Sequence, residues 1–190
     1  MHQLAEHIKS LLSISDQSIL TISDHVVEKH FSKKEHLLRT GDQAKEVYFI
    51  LEGCVRTYVF DVHGVEHTIT FSTENWWFGD LQSYLNKTAA SFNIQALENT
   101  MVLSMSRDSW DYLISKVPEF VAYTRILFQN TLFAHENRIL QNLSYTAQQR
   151  YQHFLRNHPD LSQRVSQKHI ASYLGITPEF LSVLRKKRDL

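Results

Sequence analysis

Within nine positions near its end the chain gathers a carboxylate, a hydroxyl, a small apolar side chain and several cations. They are Glu179, Ser182, Val183, Arg185, Lys186 and Lys187, in "TPEFLSVLRKKR". Lysines and arginines neutralise phosphates, a carboxylate accepts a hydrogen bond from the N4 amino group of cytosine, and valine meets the methyl of thymine. The set is therefore equipped to read double-stranded DNA. Thr177 and Pro178 open the segment, and Gln167 and Lys168 stand ten positions upstream as further candidate contacts. The charge distribution agrees: residues 1–143 carry 12 Lys and Arg against 17 Asp and Glu, whereas residues 144–190 carry 8 against 3. A formal net charge of zero thus hides a basic end, the expected footprint of a phosphate-facing surface. The plainer alternative is a helical hairpin with a solvated basic rim.

Other chemistries find less support. His63, Glu66 and His67 in "DVHGVEHT" have the donor types of a cupin-like metal enzyme. The two histidines are four apart around Gly64, so an extended strand would not turn them inward together as cupins require. No Gly-x-Ser-x-Gly, phosphate-loop or His-Glu-x-x-His motif occurs. The expectation is a protein that is not an enzyme. Cys54 is the only cysteine, which excludes an internal disulfide, an iron–sulfur cluster held by several cysteines and a cysteine-based zinc site. It reads as a buried, inert thiol. No run approaches the roughly 18 apolar residues of a membrane span, and the opening "MHQLAEHIKSLLSISDQ" mixes charges into its apolar positions. The expected location is the cytoplasm, with no membrane partner.

The basic residues need elements to hold them. If a helix begins at Gln167, its inward positions are Ile170, Ala171 and Leu174. Gly175 then turns the chain, and Ile176, Leu181 and Leu184 continue the buried set. A small residue where two helices cross, a residue free to take positive φ at the turn, and apolar residues fixing the angle make a helix-turn-helix. Thr177 is a good N-cap and Pro178 suits the first helical position. Upstream, short helices start the chain, with Leu4, Ile8, Leu11 and Leu12 on one face and a second start near Ser15. From about Val26 to Ser106 come strand-length runs, "EVYFILE", "CVRTYVF", "EHTITFS", "FNIQAL" and "TMVLSMS", separated by turn signals. Many short strands at this spacing predict an antiparallel barrel or jelly roll. Pro118 then opens a helix whose stripe of Val121, Phe128, Leu132, His135 and Ile139 runs for more than six turns. That stripe is too long for a small barrel to cover, so the helix is expected to meet a copy of itself in a two-fold homodimer. Thr146 and Gln149 form a capping-box start for another helix, and "NHPDL" breaks the chain before the terminal pair.

Strand-rich domain, long helix and helix-turn-helix together resemble the family of the cyclic-AMP receptor protein and the fumarate–nitrate regulator, the Crp/Fnr transcription factors. The likeness spans roughly residues 15–190. It is carried by "TGDQAKEVYFILEGCVRTYVFDVHG", with Gly41, Gly53 and Gly64, and by "WWFGDL", similar to the family's Phe-Gly-Glu-Leu phosphate cassette. The resemblance implies an α+β chain: an N-terminal β-roll (a double-stranded β-helix, jelly-roll-like) over residues 1–117, a dimerisation helix over 118–143, and a helix-turn-helix over 144–190. It further implies a two-fold DNA operator and RNA polymerase as a further partner.

Two departures qualify the resemblance. Cyclic-nucleotide binders of the family carry an arginine in the cassette to pair with the phosphate, while "FGDLQSYLNKTAASFNI" has none and offers only Lys87, before the arginine's place. Cyclic AMP is not expected to bind in the usual way, and no cofactor is expected. A different effector would touch Gly79, Asp80, Leu81, Lys87, Thr88 and Ser91, with Trp76 and Trp77 near. In the reader, only Glu179 matches the family's base-contacting positions, since Pro178 and Val183 stand where the cyclic-AMP receptor pattern has arginines, which predicts a different operator. Most of the family's wing hairpin is absent from these 190 residues. The rival class is a dimeric ligand-binding module without DNA recognition.

Overall fold

A computed structural model describes residues 1–186; Lys187, named above among the DNA contacts, and Arg188 lie outside the described residues. In chain order the elements are α1 (His2–Leu11), α2 (Asp16–Ser23), β1 (Val27–Phe31), β2 (His36–Leu38), β3 (Glu46–Glu52), β4 (Val55–Phe60), β5 (Glu66–Ser72) and β6 (Trp77–Phe78). Then follow α3 (Leu81–Asn86), β7 (Asn93–Ala96), β8 (Thr100–Ser106), α4 (Arg107–Lys116), α5 (Pro118–Ser144), α6 (Ala147–Asn157), α7 (Leu161–Arg164), α8 (Gln167–Leu174) and α9 (Pro178–Lys186). The strands form two four-stranded sheets, β1-β8-β3-β6 and β2-β7-β4-β5.

The chain divides into two compact units, Met1–Thr57 with Phe71–Asn130, and Tyr58–Thr70 with Thr131–Leu190. The first unit holds the larger core. β3 pairs antiparallel with β8, Val47 opposite Met105 and Phe49 opposite Leu103, and all four side chains are buried. Leu4 and Ile8 of α1, Ile22 of α2, Leu113 of α4, and Phe120 and Tyr123 of α5 belong to the same apolar cluster. Strands buried on both faces read as continuous apolar runs, which is why "EVYFILE" does not alternate. Gly53 joins β3 to β4 with φ of +107°, and a Cβ there would lie 2.5 Å from Thr100 Oγ1 and 2.8 Å from the Asn99 carbonyl oxygen. Only glycine fits such a turn. Helix α4 had no counterpart in the apolar pattern: its signal is the Ser106 hydroxyl accepting the Ser109 N–H, with Trp110 and Leu113 buried one turn apart.

The second unit has a smaller core: Tyr151, Phe154, Leu161, Val165, Ile170, Ala171, Leu174, Leu181 and Leu184 are buried. The expected capping box starts α6, Thr146 accepting the Gln149 N–H while Gln149 accepts the Thr146 N–H. Along α5, which passes from one unit to the other, Val121, Phe128, Leu132, His135 and Ile139 are all exposed, and so are Phe133, Leu140 and Leu143.

Candidate nucleic-acid interface and ligand cassette

The terminal helices adopt the geometry that their sequence requires. The Ser166 hydroxyl caps α8 by accepting the His169 N–H, and the helix ends at Gly175, left-handed at φ of +66°, whose N–H returns to the Ala171 and Ser172 carbonyls. Arg150 of α6 secures that end, donating from Nε to the Leu174 carbonyl at 3.2 Å and from a terminal nitrogen to the Tyr145 carbonyl at 2.8 Å. The Thr177 hydroxyl accepts the Phe180 N–H at 3.2 Å, so α9 starts capped with Pro178 in its first position. Ala171, Leu174, Leu181 and Leu184 are buried between the helices.

What faces outward is the set named from the sequence. Thr177, Pro178, Glu179, Ser182, Val183, Arg185 and Lys186 are exposed on α9, and Gln167 and Lys168 sit in the first turn of α8. Hydrogen bonds from its own backbone amide and the Thr177 hydroxyl hold the Glu179 carboxyl below the usual carboxylate range. At neutral pH it is an acceptor only, as pairing with an amino group demands. Phe180, 46% exposed, also lies on this surface. The sequence reading passed over it, although it directly follows Glu179 and misses the buried positions at Leu181 and Leu184.

The cassette is a different kind of site. Asp80 caps α3; one carboxylate oxygen accepts the Ser83 N–H at 3.0 Å and the other the Ser91 N–H at 2.9 Å. The Ser83 hydroxyl accepts the Ala44 N–H at 2.9 Å and donates to the Thr88 carbonyl at 2.6 Å. The residues named as a pocket are dispersed. Gly79 and Asp80 line a cavity of about 400 Å³ with Asp42, Lys45, Glu46 and Tyr48. Lys87, left-handed at the end of α3, lines another of about 210 Å³ with Lys45, Arg107 and Asp108. Thr88 and Ser91 are exposed, and Leu81 packs against the core. In the larger cavity Glu46 is paired with Lys29 at 2.6 Å and accepts the Tyr48 hydroxyl at 3.2 Å. Burial and the Glu46 charge push the Tyr48 phenol well above its ordinary range, so it stays a donor. Of the two tryptophans, Trp76 is half exposed, whereas Trp77 donates its indole N–H to the Tyr123 hydroxyl at 2.8 Å.

Comparison with known proteins follows this division. Residues 28–117 match the cyclic nucleotide-binding domain. The regulatory protein HlyX of Actinobacillus pleuropneumoniae is 27% identical over 184 residues, covering 87% of this chain and 73% of that protein. The fumarate and nitrate reduction regulatory protein of Vibrio cholerae is 29% identical over 188 residues, covering 89% and 72%. In fold the chain is similar to FixK2 from Bradyrhizobium japonicum, with a TM-score of 0.71 at 22% identity over 85% of this chain and 83% of that one. The chain is thus a cyclic nucleotide-binding domain followed by a helix-turn-helix. Over most of its length it is similar to HlyX-type and fumarate–nitrate-reduction-type regulatory proteins.

Fnr-type regulators often bind an iron–sulfur cluster. The donors of this chain do not fit one held by several cysteines, because Cys54 is the sole cysteine and is fully buried. Among the described residues no group of three or more His, Cys, Asp or Glu is placed to hold a metal ion, and no helix is long and apolar enough to cross a membrane.

Proposed function

We propose that this regulator works as a homodimer that binds a two-fold DNA site. Helix α9 of each protomer enters one of two successive major grooves, and α5 forms the principal contact between protomers. The observation that carries the reading is the outward face of α9: a capped helix start, an ionised Glu179, and Arg185 and Lys186 beyond it, all exposed while the opposite face is buried. Glu179 and Ser182 read base edges, Val183 meets a thymine methyl, and Gln167, Lys168, Arg185 and Lys186 hold phosphates and set register. Residues 1–117 serve as the sensing region, 118–143 as the dimer helix and 144–190 as the reader. The cytoplasm is the expected location and RNA polymerase the expected further partner.

Cyclic AMP is not the effector in this reading. The cassette has no arginine, and the Ser91 N–H, in the stretch where the family's cassette meets its phosphate, already donates to Asp80. A bound phosphate would have to displace that carboxylate. Titration calorimetry is expected to show no micromolar site for cyclic AMP, and finding one would overturn this part.

Selection of bound duplexes from random DNA, followed by affinity measurement across salt, tests the whole reading. The expected outcome is an enriched two-fold motif and a log–log salt slope of several units. No enrichment and no salt dependence would instead favour a dimeric ligand-binding module without DNA recognition.

A further inference from the structure

Among the described residues β5 is a terminal strand of its sheet, with one edge turned away from β4. Such an edge is normally blunted or covered. Here two side chains from helices of the same compact unit cover it. The Ser172 hydroxyl, on α8, accepts the Thr68 N–H at 2.8 Å and donates to the Glu66 carbonyl at 2.8 Å. Arg138, on α5, donates to the carbonyls of Ile69, of Thr68 at 3.3 Å, and of Tyr173 at 3.0 Å, the last belonging to α8. Its guanidinium also lies 3.9 Å from the centre of the Tyr173 ring.

The arrangement is specific to the residues present. A planar fork of five N–H groups reaches converging carbonyls and stacks on a ring, which a lysine ammonium cannot do. Arg138 donates to three backbone carbonyls, and burial pulls its pKa down while the Tyr173 side chain opposes that shift. Strand β5, helix α5 and helix α8 are thereby tied at two adjacent residues of α8, through the Ser172 hydroxyl and through the Tyr173 carbonyl and ring. Helix α9 takes no part. Its candidate base-reading residues Glu179, Ser182 and Val183 stay exposed while the tie is made, so the tie orients the reader without covering it.

We propose that Ser172 and Arg138 are positioning residues that set which half-site spacing the dimer accepts on DNA. The proposal rests on the DNA reading above. A dimer that engages two half-sites roughly one helical turn apart must hold its two readers at a fixed separation and rotation. Once one half-site is bound, the effective concentration of the second reader is high only at the spacing that matches this geometry. A loosened α8 spreads that concentration over neighbouring spacings and lowers it at the best one.

The test uses the full chain and duplexes bearing the selected half-site in two-fold arrangement. Spacing is varied by one and two base pairs about the optimum, and a single half-site duplex serves as reference. The wild type is expected to favour one spacing by about tenfold or more. Ser172→Ala and Arg138→Met should flatten that preference to within about threefold and leave single half-site affinity within about twofold. Ser172→Thr, which keeps the hydroxyl, should retain the wild-type preference. Alanine is the best helix former, so Ser172→Ala keeps the test decisive if Arg138→Met fails to fold. Sharp spacing preference in both wild type and Ser172→Ala would overturn the proposal while leaving the DNA reading intact. A wild type that binds no duplex would overturn both.

Discussion

Asp80 and Glu179 are both acidic residues at the start of a helix, and they are used in opposite ways. Asp80, 1% exposed, gives both oxygens to backbone amides of its own loop. Glu179 is exposed, and the hydrogen bonds it accepts come from its own backbone amide and from Thr177, leaving its outer face to solvent. The cassette has closed its polar groups on themselves, whereas the terminal helix pair buries leucines and turns its polar groups outward. A carboxylate satisfied internally supports the fold. One satisfied from a single side is left for a partner.

The largest effect should come from closing an open surface in the wrong way. Leu132 is 55% exposed on α5, so Leu132→Asp costs the protomer little but places an unpartnered charge in the proposed dimer contact. Its expected cost is ~3 kcal/mol or more, at least about 100-fold in dimer affinity. Sedimentation at micromolar concentration should show monomer with an unchanged helical spectrum; a wild-type dimer constant would remove α5 as the contact. Leu132 is the better probe than Phe128, which is 42% exposed but lies 6.2 Å from the Trp110 ring and so contributes to the fold as well.

Opening the closed region comes next. Asp80→Ala removes the cap of α3 and leaves the Ser83 and Ser91 amides unpaired, for which about 2–4 kcal/mol of stability is expected. Asp80→Asn keeps one acceptor oxygen and should lose about half as much. Urea unfolding measures both, and a loss under about 1 kcal/mol for the alanine variant would mean that the cassette is not held by this carboxylate.

The same contrast explains what could be seen in the sequence. Most of the terminal pair was legible, because Ile170, Ala171, Leu174, Gly175, Leu181 and Leu184 obey local spacing rules and the structure buries or turns each as required, whereas Ile176, expected in the buried set, is only half-buried. The five quoted strand runs and the start of α5 at Pro118 were legible for the same reason. The short strand β6, helix α4 and the loss of a common pocket were not. Asp80 meeting Ser91 depends on an eleven-residue return of the loop, and Ser172 meeting Glu66 on a separation of 106 residues. No periodicity encodes either contact.

At the open face the expected effects are smaller and fall on binding alone. Glu179→Ala should leave stability within about 0.5 kcal/mol and relax preference at one base pair by about 1–3 kcal/mol. Lys186→Ala should weaken all sequences alike and lower the salt slope by about one. Selection and salt titration separate the two; identical behaviour of both variants would merge base reading and phosphate holding into one electrostatic surface. Lys187→Ala, outside the described residues, is expected to behave as Lys186→Ala does.

The smallest effect concerns how completely the first unit closes its polar groups. The Tyr123 hydroxyl, fully buried, accepts the Trp77 indole N–H and is 2.8 Å from His7 Nδ1, which accepts the phenol proton in the neutral tautomer that carries its hydrogen on Nε2. Protonating Nδ1 would set two donors against each other. Burial lowers the pKa of His7 below its ordinary value of 6.5. Between 6.5 and that lower value the unfolded chain binds a proton that the folded chain refuses, so stability is full above pH 6.5 and falls as pH drops through this window. His158, lowered by burial and by His153, acts in the same direction. Asp61, Glu119 and Glu179 are lowered from carboxylate values and titrate at more acid pH, outside the window. Urea midpoints should therefore be lower at pH 5.5 than at pH 7.5 for the wild type, and the difference should shrink in His7→Gln, whose side chain does not titrate in this range. An equal drop in both proteins would show that the Trp77–Tyr123–His7 chain accommodates a charged imidazole, and that the first unit is less closed than Asp80 makes it look.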